Sequence, residues 1–202
     1  MAAQANDFQK KFRYHHGNLR EALLNAAQEI LNGQGLEALS LRTLARATGV
    51  TQAAPYSHFR DKDDLLAAIA ERGFQRLALQ MAEGATGATG TRARIEKLIT
   101  AYIEFALANK PLFRIMFGRE LSDMKRFPTL AMTAGKSYAL VSAALAGVKN
   151  TDARFLAVAV WSLCHGLTTM IVDERVKPEQ FGAQSLAAFV SKNVDIFKEQ
   201  IG

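Results

Sequence analysis

The sequence predicts an all-α fold of about nine helices: a short N-terminal three-helix domain of helix-turn-helix type and a larger C-terminal helical domain. Three observations carry the prediction. Apolar residues recur three and four positions apart, the spacing that gathers them on one helix face. Strict apolar–polar alternation, the mark of a half-buried strand, is absent over any useful length. The chain is rich in Ala, Leu, Glu, Lys and Arg and holds only four prolines. Three of these, Pro111, Pro128 and Pro178, stand where a helix can begin without the N–H that proline lacks. With 202 residues, 49% hydrophobic and 22% charged, the chain can bury a core without staples. It is neither disordered, collagenous nor a disulfide-rich mini-protein. Cys164 is the only cysteine, so no intramolecular disulfide can form.

Residues 1–14 read as a flexible basic arm with Lys10, Lys11 and Arg13. They lack the apolar run of a secretory leader, so a cytoplasmic chain is expected. Residues 15–62 read as the helix-turn-helix domain. Leu19, Leu23, Ala26, Ala27, Ile30 and Leu31 line its first helix, which Gly33 and Gly35 end. Ser40 caps a second helix carrying Leu41, Leu44 and Ala45, and Gly49 stops it. Thr51 is expected to cap a third helix, Gln52 to His58. Asp61 caps a fourth, with Asp63 and Asp64 in the first turn, where the helix dipole favours acids. This connecting helix, 63–83, runs through Leu65, Leu66, Ile69, Phe74, Leu77 and Met81 to a Gly/Thr loop at 84–90.

The C-terminal domain, 91–202, reads as five further helices at about 91–109, 111–123, 127–147, 152–175 and 178–200. Within it, the 18 residues from Phe155 to Val172 contain no Asp, Glu, Lys or Arg. That length just reaches a membrane span. Ser162, His165, Gly166, Thr168 and Thr169 dilute the segment, so a core or interface helix is expected, and no membrane partner.

The net charge is +6, of which +3 falls within the first 60 residues, making this part the denser in positive charge. That balance suits a nucleic acid or another anionic surface. Gly49 permits the positive φ of a sharp turn between the second and third helices, and Val50 plugs the angle between them. A seven-residue third helix would not hold alone, so it is a segment presented by a scaffold. Gln52 offers an amide that can pair with an adenine edge, while Ala53 and Ala54 are small enough to enter a groove and touch thymine methyls. Tyr56 and His58 can donate to phosphates, and Lys62 adds a charge at the start of the next helix. The alternative for Tyr56, less favoured, is a half-buried aromatic bracing the core, as Phe59 does, and for His58, Arg42 and Lys62 a solvated surface group. Pro55 is anomalous inside a helix.

Catalytic chemistry is not expected. Cys164 and His165 are adjacent, and neighbours on a helix point roughly 100° apart, so they cannot serve each other as nucleophile and base. No phosphate-cradling Gly loop, no metal-spaced Cys/His cluster and no triad is present, so no cofactor or metal is expected. An enzyme or a scaffold protein is the rival reading, and neither explains the pattern from Gly49 to Lys62.

Residues 44–66, Leu-Ala-Arg-Ala-Thr-Gly-Val-Thr-Gln-Ala-Ala-Pro-Tyr-Ser-His-Phe-Arg-Asp-Lys-Asp-Asp-Leu-Leu, resemble the signature of the TetR (tetracycline-repressor) family of transcription regulators. That signature is Gly-Val-Ser/Thr, a variable stretch, Tyr-x-His/Tyr-Phe, two residues, then Lys-x-x-Leu-Leu. The resemblance covers roughly residues 15–70, with His16-Gly17-Asn18-Leu19 opening the first helix. It implies groove-facing roles for Gln52, Ala53 and Ala54, and phosphate contacts for Thr51, Tyr56, His58 and Lys62. Arg42 matches a position that reaches a base or phosphate. Ser57, also a candidate contact, stands where the family's namesake has a large aromatic. Further along, Trp161-x-x-x-His165-Gly166 and Lys110-Pro111-Leu112-Phe113-Arg114-Ile115-Met116-Phe117-Gly118 resemble the Trp–His–Gly type of C-terminal domain.

One short reading element touches few base pairs, so two copies are expected on successive major grooves of a palindromic double-stranded operator, about 34–36 Å apart. The resemblance implies a homodimer joined by the last two helices. Leu163, Gly166, Leu186, Phe189, Val190 and Phe197 are candidates for that surface, with Ala157, Ala159 and Gly166 allowing close approach. It also implies a repressor, or alternatively an activator, that answers to a small-molecule effector. Tyr102, Phe105, Phe113, Met116, Phe117, Tyr138, Trp161, His165 and Met170 read either as the lining of a pocket for an apolar or aromatic effector or as ordinary core.

Overall fold

The computed structural model describes residues 19–121, 123–149 and 151–202. The basic arm expected at 1–14, and His16 to Asn18 at the head of the first helix, lie outside them. Among the described residues the regular structure is entirely helical. It comprises α1 (Leu19–Gln34), α2 (Leu41–Thr48), α3 (Lys62–Gly84), α4 (Thr91–Ala108), α5 (Lys110–Met116), α6 (Pro128–Leu145), α7 (Ala153–Val172), α8 (Leu186–Val194) and a last turn, α9 (Lys198–Ile201).

The chain divides into two compact units. Residues up to Gly73 together with Pro111–Leu130 form one, and Phe74–Lys110 with Ala131–Gly202 form the other. The division falls inside α3 rather than at the Gly/Thr loop, and the segment 111–130 joins the first unit.

In the first unit α1 buries Leu23, Ala26, Ala27, Ile30 and Leu31 of the face that the spacing predicts, and also Ala22 and Leu24, while Leu19 is only half-buried. Leu39, Leu44, Ala45, Phe59, Leu65 and Leu66 complete this core. Burial of each large side chain contributes about 1.5–3 kcal/mol, which holds elements too short to be stable alone. Ser40 caps α2 as expected. Its Oγ accepts from the Thr43 N–H at 3.1 Å, while its own N–H donates to Thr43 Oγ1 at 2.9 Å. At the other end Gly49 takes a left-handed conformation with φ 71°, and the Val50 N–H returns to the Ala45 carbonyl at 3.0 Å. Val50 is only half-buried. Leu112 and Met116 of α5 close over Gly73, where an added Cβ would lie 2.6 Å from Met116 Sδ.

In the second unit α4 buries Ile95, Leu98, Ile99, Tyr102, Ile103 and Phe105. Val141 and Leu145 of α6, Val160 and Cys164 of α7 and Val190 and Val194 of α8 share the core. Arg92 ties the periphery, donating to Glu96 at 2.9 Å and to Asp195 at 2.5 Å. Among the described residues α7 is the one helix long and apolar enough to cross a membrane. Leu156, Ala157, Val160, Cys164, Thr168 and Ile171 on one side of it belong to the core.

Three elements differ from the sequence's prediction. The third helix is a four-residue 3-10 turn, Ala54–Ser57, with Pro55 buried at its start. The helix expected over 111–123 stops at Met116 and continues as 3-10 turns at Arg119–Leu121 and Met124–Arg126. The helix expected over 178–200 begins at Leu186. Gly182, left-handed with φ 70°, closes a 3-10 turn at Pro178–Phe181, and Ser185 starts α8 afresh by accepting from the Ala188 N–H at 3.1 Å.

Candidate nucleic-acid interface

The residues assigned to nucleic-acid reading lie on α2, on the turn after it and at the start of α3. Arg42, Thr51, Gln52, Ala53, Tyr56, Ser57, His58 and Lys62 are exposed, and Ala54 is half-buried. Tyr56 is 54% exposed, so at most half of its surface can brace the core. Phe59 takes that role: it is 2% exposed, with the Arg20 guanidinium over its ring at 5.8 Å.

Local chemistry fixes this strip. Thr51 does not cap with its side chain as expected. The 3-10 turn starts after Ala53, and Thr51 instead gives its carbonyl to the Ala54 N–H at 3.1 Å. Pro55 at the beginning of the turn needs no donor, and its carbonyl accepts from both His58 and Phe59 at 3.0 Å. The anomaly of a proline inside the reading helix is thereby resolved. Ser57 Oγ donates to the Ala54 carbonyl at 2.7 Å. A phosphate offers only acceptors, so Ser57 can donate to one only by giving up this bond.

Asp61 caps α3 as expected, its Oδ1 accepting from the Asp64 N–H at 2.8 Å. Lys62 follows, exposed on the first turn. Three carboxylates crowd this turn, and two arginines answer them. Arg60 grips Asp64 through Nε at 2.5 Å and Nη2 at 2.7 Å. Arg126 reaches Asp61 at 2.5 Å and Asp63 at 2.7 Å. Hydrogen bonding from Arg60 holds the Asp64 carboxyl below its usual range, and the Asp64 N–H lowers that of Asp61 with help from Arg126. Both acids are therefore ionised. Sequence reasoning missed Arg126, which lies 65 positions from Asp61. It also missed Arg46, exposed on α2; the signal was there, because Arg46 stands four residues after Arg42 and shares its helix face.

The nine effector candidates fall into separate places. Tyr102, Tyr138, Trp161 and His165 form one cluster in the second unit. Tyr102 meets Trp161 edge-on at 5.4 Å between ring centres, and Tyr138 meets Trp161 edge-on at 5.9 Å. The Tyr102 hydroxyl lies 3.0 Å from His165 Nδ1. Burial pushes the Tyr102 phenol up and the His165 imidazole down, so both are neutral near pH 7. Phe105 is buried beneath the Arg76 guanidinium. Phe113, Met116 and Phe117 belong to the first unit. Met170 is 44% exposed and lines a groove of about 700 Å³ with Leu167, Phe181 and Phe189.

Of the dimer candidates, Gly166 is exposed and Leu163, Leu186 and Phe197 are half-buried. Phe189 and Val190 are 6% and 0% exposed, and Ala157 is 0% exposed. This corrects the sequence reading, because an apolar face turns first to its own core and these three side chains are spent there. Phe155 and Val158, 76% and 54% exposed on α7, were not predicted.

Residues 23–69 match the family of bacterial regulatory proteins described as the tetR family, and residues 95–195 match the tetracyclin repressor-like C-terminal domain. An uncharacterized HTH-type transcriptional regulator of Bacillus subtilis (strain 168), YobS, is 25% identical over 171 residues, 85% of this chain and 88% of that protein. The tetracycline repressor protein class C of Escherichia coli is 50% identical over 52 residues, 26% of this chain and 24% of that protein. Among solved structures, a protein of unknown function from Rhodococcus sp. RHA1 superposes with a TM-score of 0.79 at 31% identity, covering 94% of this chain and 99% of that one.

Proposed function

The chain belongs to the tetR family of bacterial regulatory proteins, and from that premise we propose a homodimeric cytoplasmic repressor, released from a palindromic operator by a small apolar or aromatic effector. It is a DNA-binding transcription regulator and not an enzyme. The observation that carries the reading is the exposed strip Thr51–His58, mounted between the left-handed Gly49 and the Asp61 cap, with Lys62 beside it. Gln52, Ala53 and Ala54 face the groove in this reading. Thr51, Tyr56, His58 and Lys62 hold phosphates, Arg42 reaches a base or a phosphate, and Ser57 secures the turn.

Gly166 supports the dimer. A glycine inside a helix costs about 0.5–1 kcal/mol relative to alanine. No atom lies within 4 Å of where its Cβ would stand, so its own protomer does not require it. Gly166 shares α7 with the exposed Phe155, Val158, Ala159 and Ser162. A second copy approaching closely across this surface accounts for both the glycine and the exposed apolar residues.

The cluster of Tyr102, Tyr138, Trp161 and His165 supports an uncharged effector, since its titratable members are neutral and its rings offer apolar faces. Residues 62–73 of α3 belong to the unit that carries the reading strip, and the helix continues from Phe74 in the unit that carries the aromatic cluster. An effector favouring one arrangement of that second unit would shift the operator-binding equilibrium by its differential affinity, typically about 1–3 kcal/mol. The test is a gel-shift titration of the wild type and Lys62→Ala across salt concentrations. The reading expects Lys62→Ala to bind more weakly on all duplexes, with the salt slope lower by about 1. Unchanged affinity and slope would remove Lys62 from the interface.

A further inference from the structure

We propose that Arg126 is a positioning residue for operator binding, keeping the Asp61 and Asp63 carboxylates from opposing the phosphates that approach Lys62. The inference rests on the DNA-binding reading of the strip. Residues 60–64, Arg-Asp-Lys-Asp-Asp, carry two positive and three negative charges, an awkward balance at a surface that must meet a polyanion. Arg126 makes it neutral. Its Nη2 donates to Asp61 Oδ2 at 2.5 Å and its Nη1 to Asp63 Oδ2 at 2.7 Å, so one guanidinium spans the two acids that flank Lys62 in sequence.

The placement is well defined. The Arg126 guanidinium lies over the Phe127 ring at 5.1 Å from its centre. Arg126 and Phe127 line a cleft of about 260 Å³ together with His58 and Phe59. The guanidinium therefore borders the same cleft as His58, a candidate phosphate contact. Asp64 is already neutralised by Arg60, which lies just ahead of the helix. Asp61 and Asp63 depend on a residue that the chain brings back more than sixty positions later.

Stability does not explain the arrangement. Arg126, Asp61 and Asp63 side chains are 38%, 47% and 47% exposed, and ion pairs in such surroundings contribute little to folding. Their field extends over a screening length of about 8 Å at physiological salt, so a phosphate held by Lys62 between them in sequence would feel it. Asp61 also caps α3 through its Oδ1, so the carboxylate that Arg126 neutralises is fixed at the head of the helix.

The experiment is fluorescence anisotropy of the full-length protein on a selected operator duplex from 50 to 300 mM KCl. It compares wild type, Arg126→Ala, Arg126→Lys, Asp61→Asn/Asp63→Asn, and the triple variant combining Arg126→Ala with both asparagines. Asparagine caps a helix as well as aspartate, so the fold is kept. Arg126→Ala should weaken binding roughly tenfold at 50 mM and about twofold at 300 mM, because salt screens the repulsion from the two freed carboxylates. Arg126→Lys, which keeps the charge, should recover most of the loss. On the asparagine background, adding Arg126→Ala should change affinity less than about twofold, because the acids it neutralised are gone. A loss equal at every salt concentration would make Arg126 a structural prop. A loss equally large with both aspartates removed would make it a direct phosphate contact. Either result overturns the proposal, whereas a wild-type protein that binds no duplex would instead overturn the DNA-binding reading.

Discussion

The strip from Thr51 to Lys62 and the cluster of Tyr102, Tyr138, Trp161 and His165 are assembled in opposite ways. The strip is twelve consecutive residues shaped by neighbours: a left-handed glycine, a proline that needs no donor, a hydroxyl bonded three residues back and an aspartate cap. The cluster takes its members from three helices, α4, α6 and α7, and exists only once their packing has placed the Trp161 ring 5.4 Å from Tyr102 and 5.9 Å from Tyr138. A surface that must fit one fixed partner, the duplex, is built locally and rigidly. The cluster, which we propose as the effector site, is built instead from elements distant in sequence. The two should therefore fail differently when perturbed.

The sharpest difference is expected at Gln52. Replacing it by alanine should leave folding intact and change which base pair is preferred, by about 1–3 kcal/mol of discrimination. Competition binding against a panel of single-base operator variants measures this, and an unchanged preference would take Gln52 out of the groove. Next is Gly49→Ala. A Cβ at φ 71° costs about 1–2 kcal/mol, so urea unfolding should lose that much. Operator binding should weaken as well, because the angle between α2 and the strip depends on this residue. Equal stability with equal binding would show that the turn relaxes.

In the cluster the expected effects are smaller. Tyr102→Phe removes the hydroxyl 3.0 Å from His165 Nδ1 and should cost about 1 kcal/mol in stability, with operator affinity unchanged in the absence of effector. A large direct loss of DNA binding would contradict the division of labour. The smallest effect is a pH dependence. Burial lowers the His165 pKa in the folded state, below the 6.5 of an open chain. The unfolded chain therefore takes up the proton first as pH falls, and stability should decline below about pH 6.5. Denaturant midpoints at pH 5 and pH 7.5 test this, and His165→Gln should reduce the difference between them.

How much was legible follows the same contrast. Ser40, Gly49 and Asp61 could be read from sequence because caps and left-handed turns are decided within a few residues. The third helix was over-read. Gln52, Ala53 and Ala54 suit a helix, yet a proline directly after them starts a turn more readily than it continues a helix. Gly182 and Ser185 broke the last helix for an equally local reason, which the apolar spacing of Leu186, Phe189 and Val190 masked. Arg126 was invisible, because nothing in Met-Lys-Arg-Phe announces two aspartates sixty residues earlier. Phe189 and Val190 were assigned to a partner because sequence shows that a face is apolar but not what covers it. Tyr102, Tyr138, Trp161 and His165 each stand out in the sequence as aromatic or titratable, but the distances that unite them belong to the packing of three helices.

The central claim is that a short strip, presented twice by a two-fold dimer, reads a duplex. Selecting bound sequences from a random double-stranded pool with the purified full-length protein, with its mass in solution measured alongside, tests it most directly. The account predicts a dimer and an enriched inverted repeat whose half-sites are centred about 10 base pairs, or a multiple of that, apart. A strictly monomeric protein that enriches no sequence would contradict it.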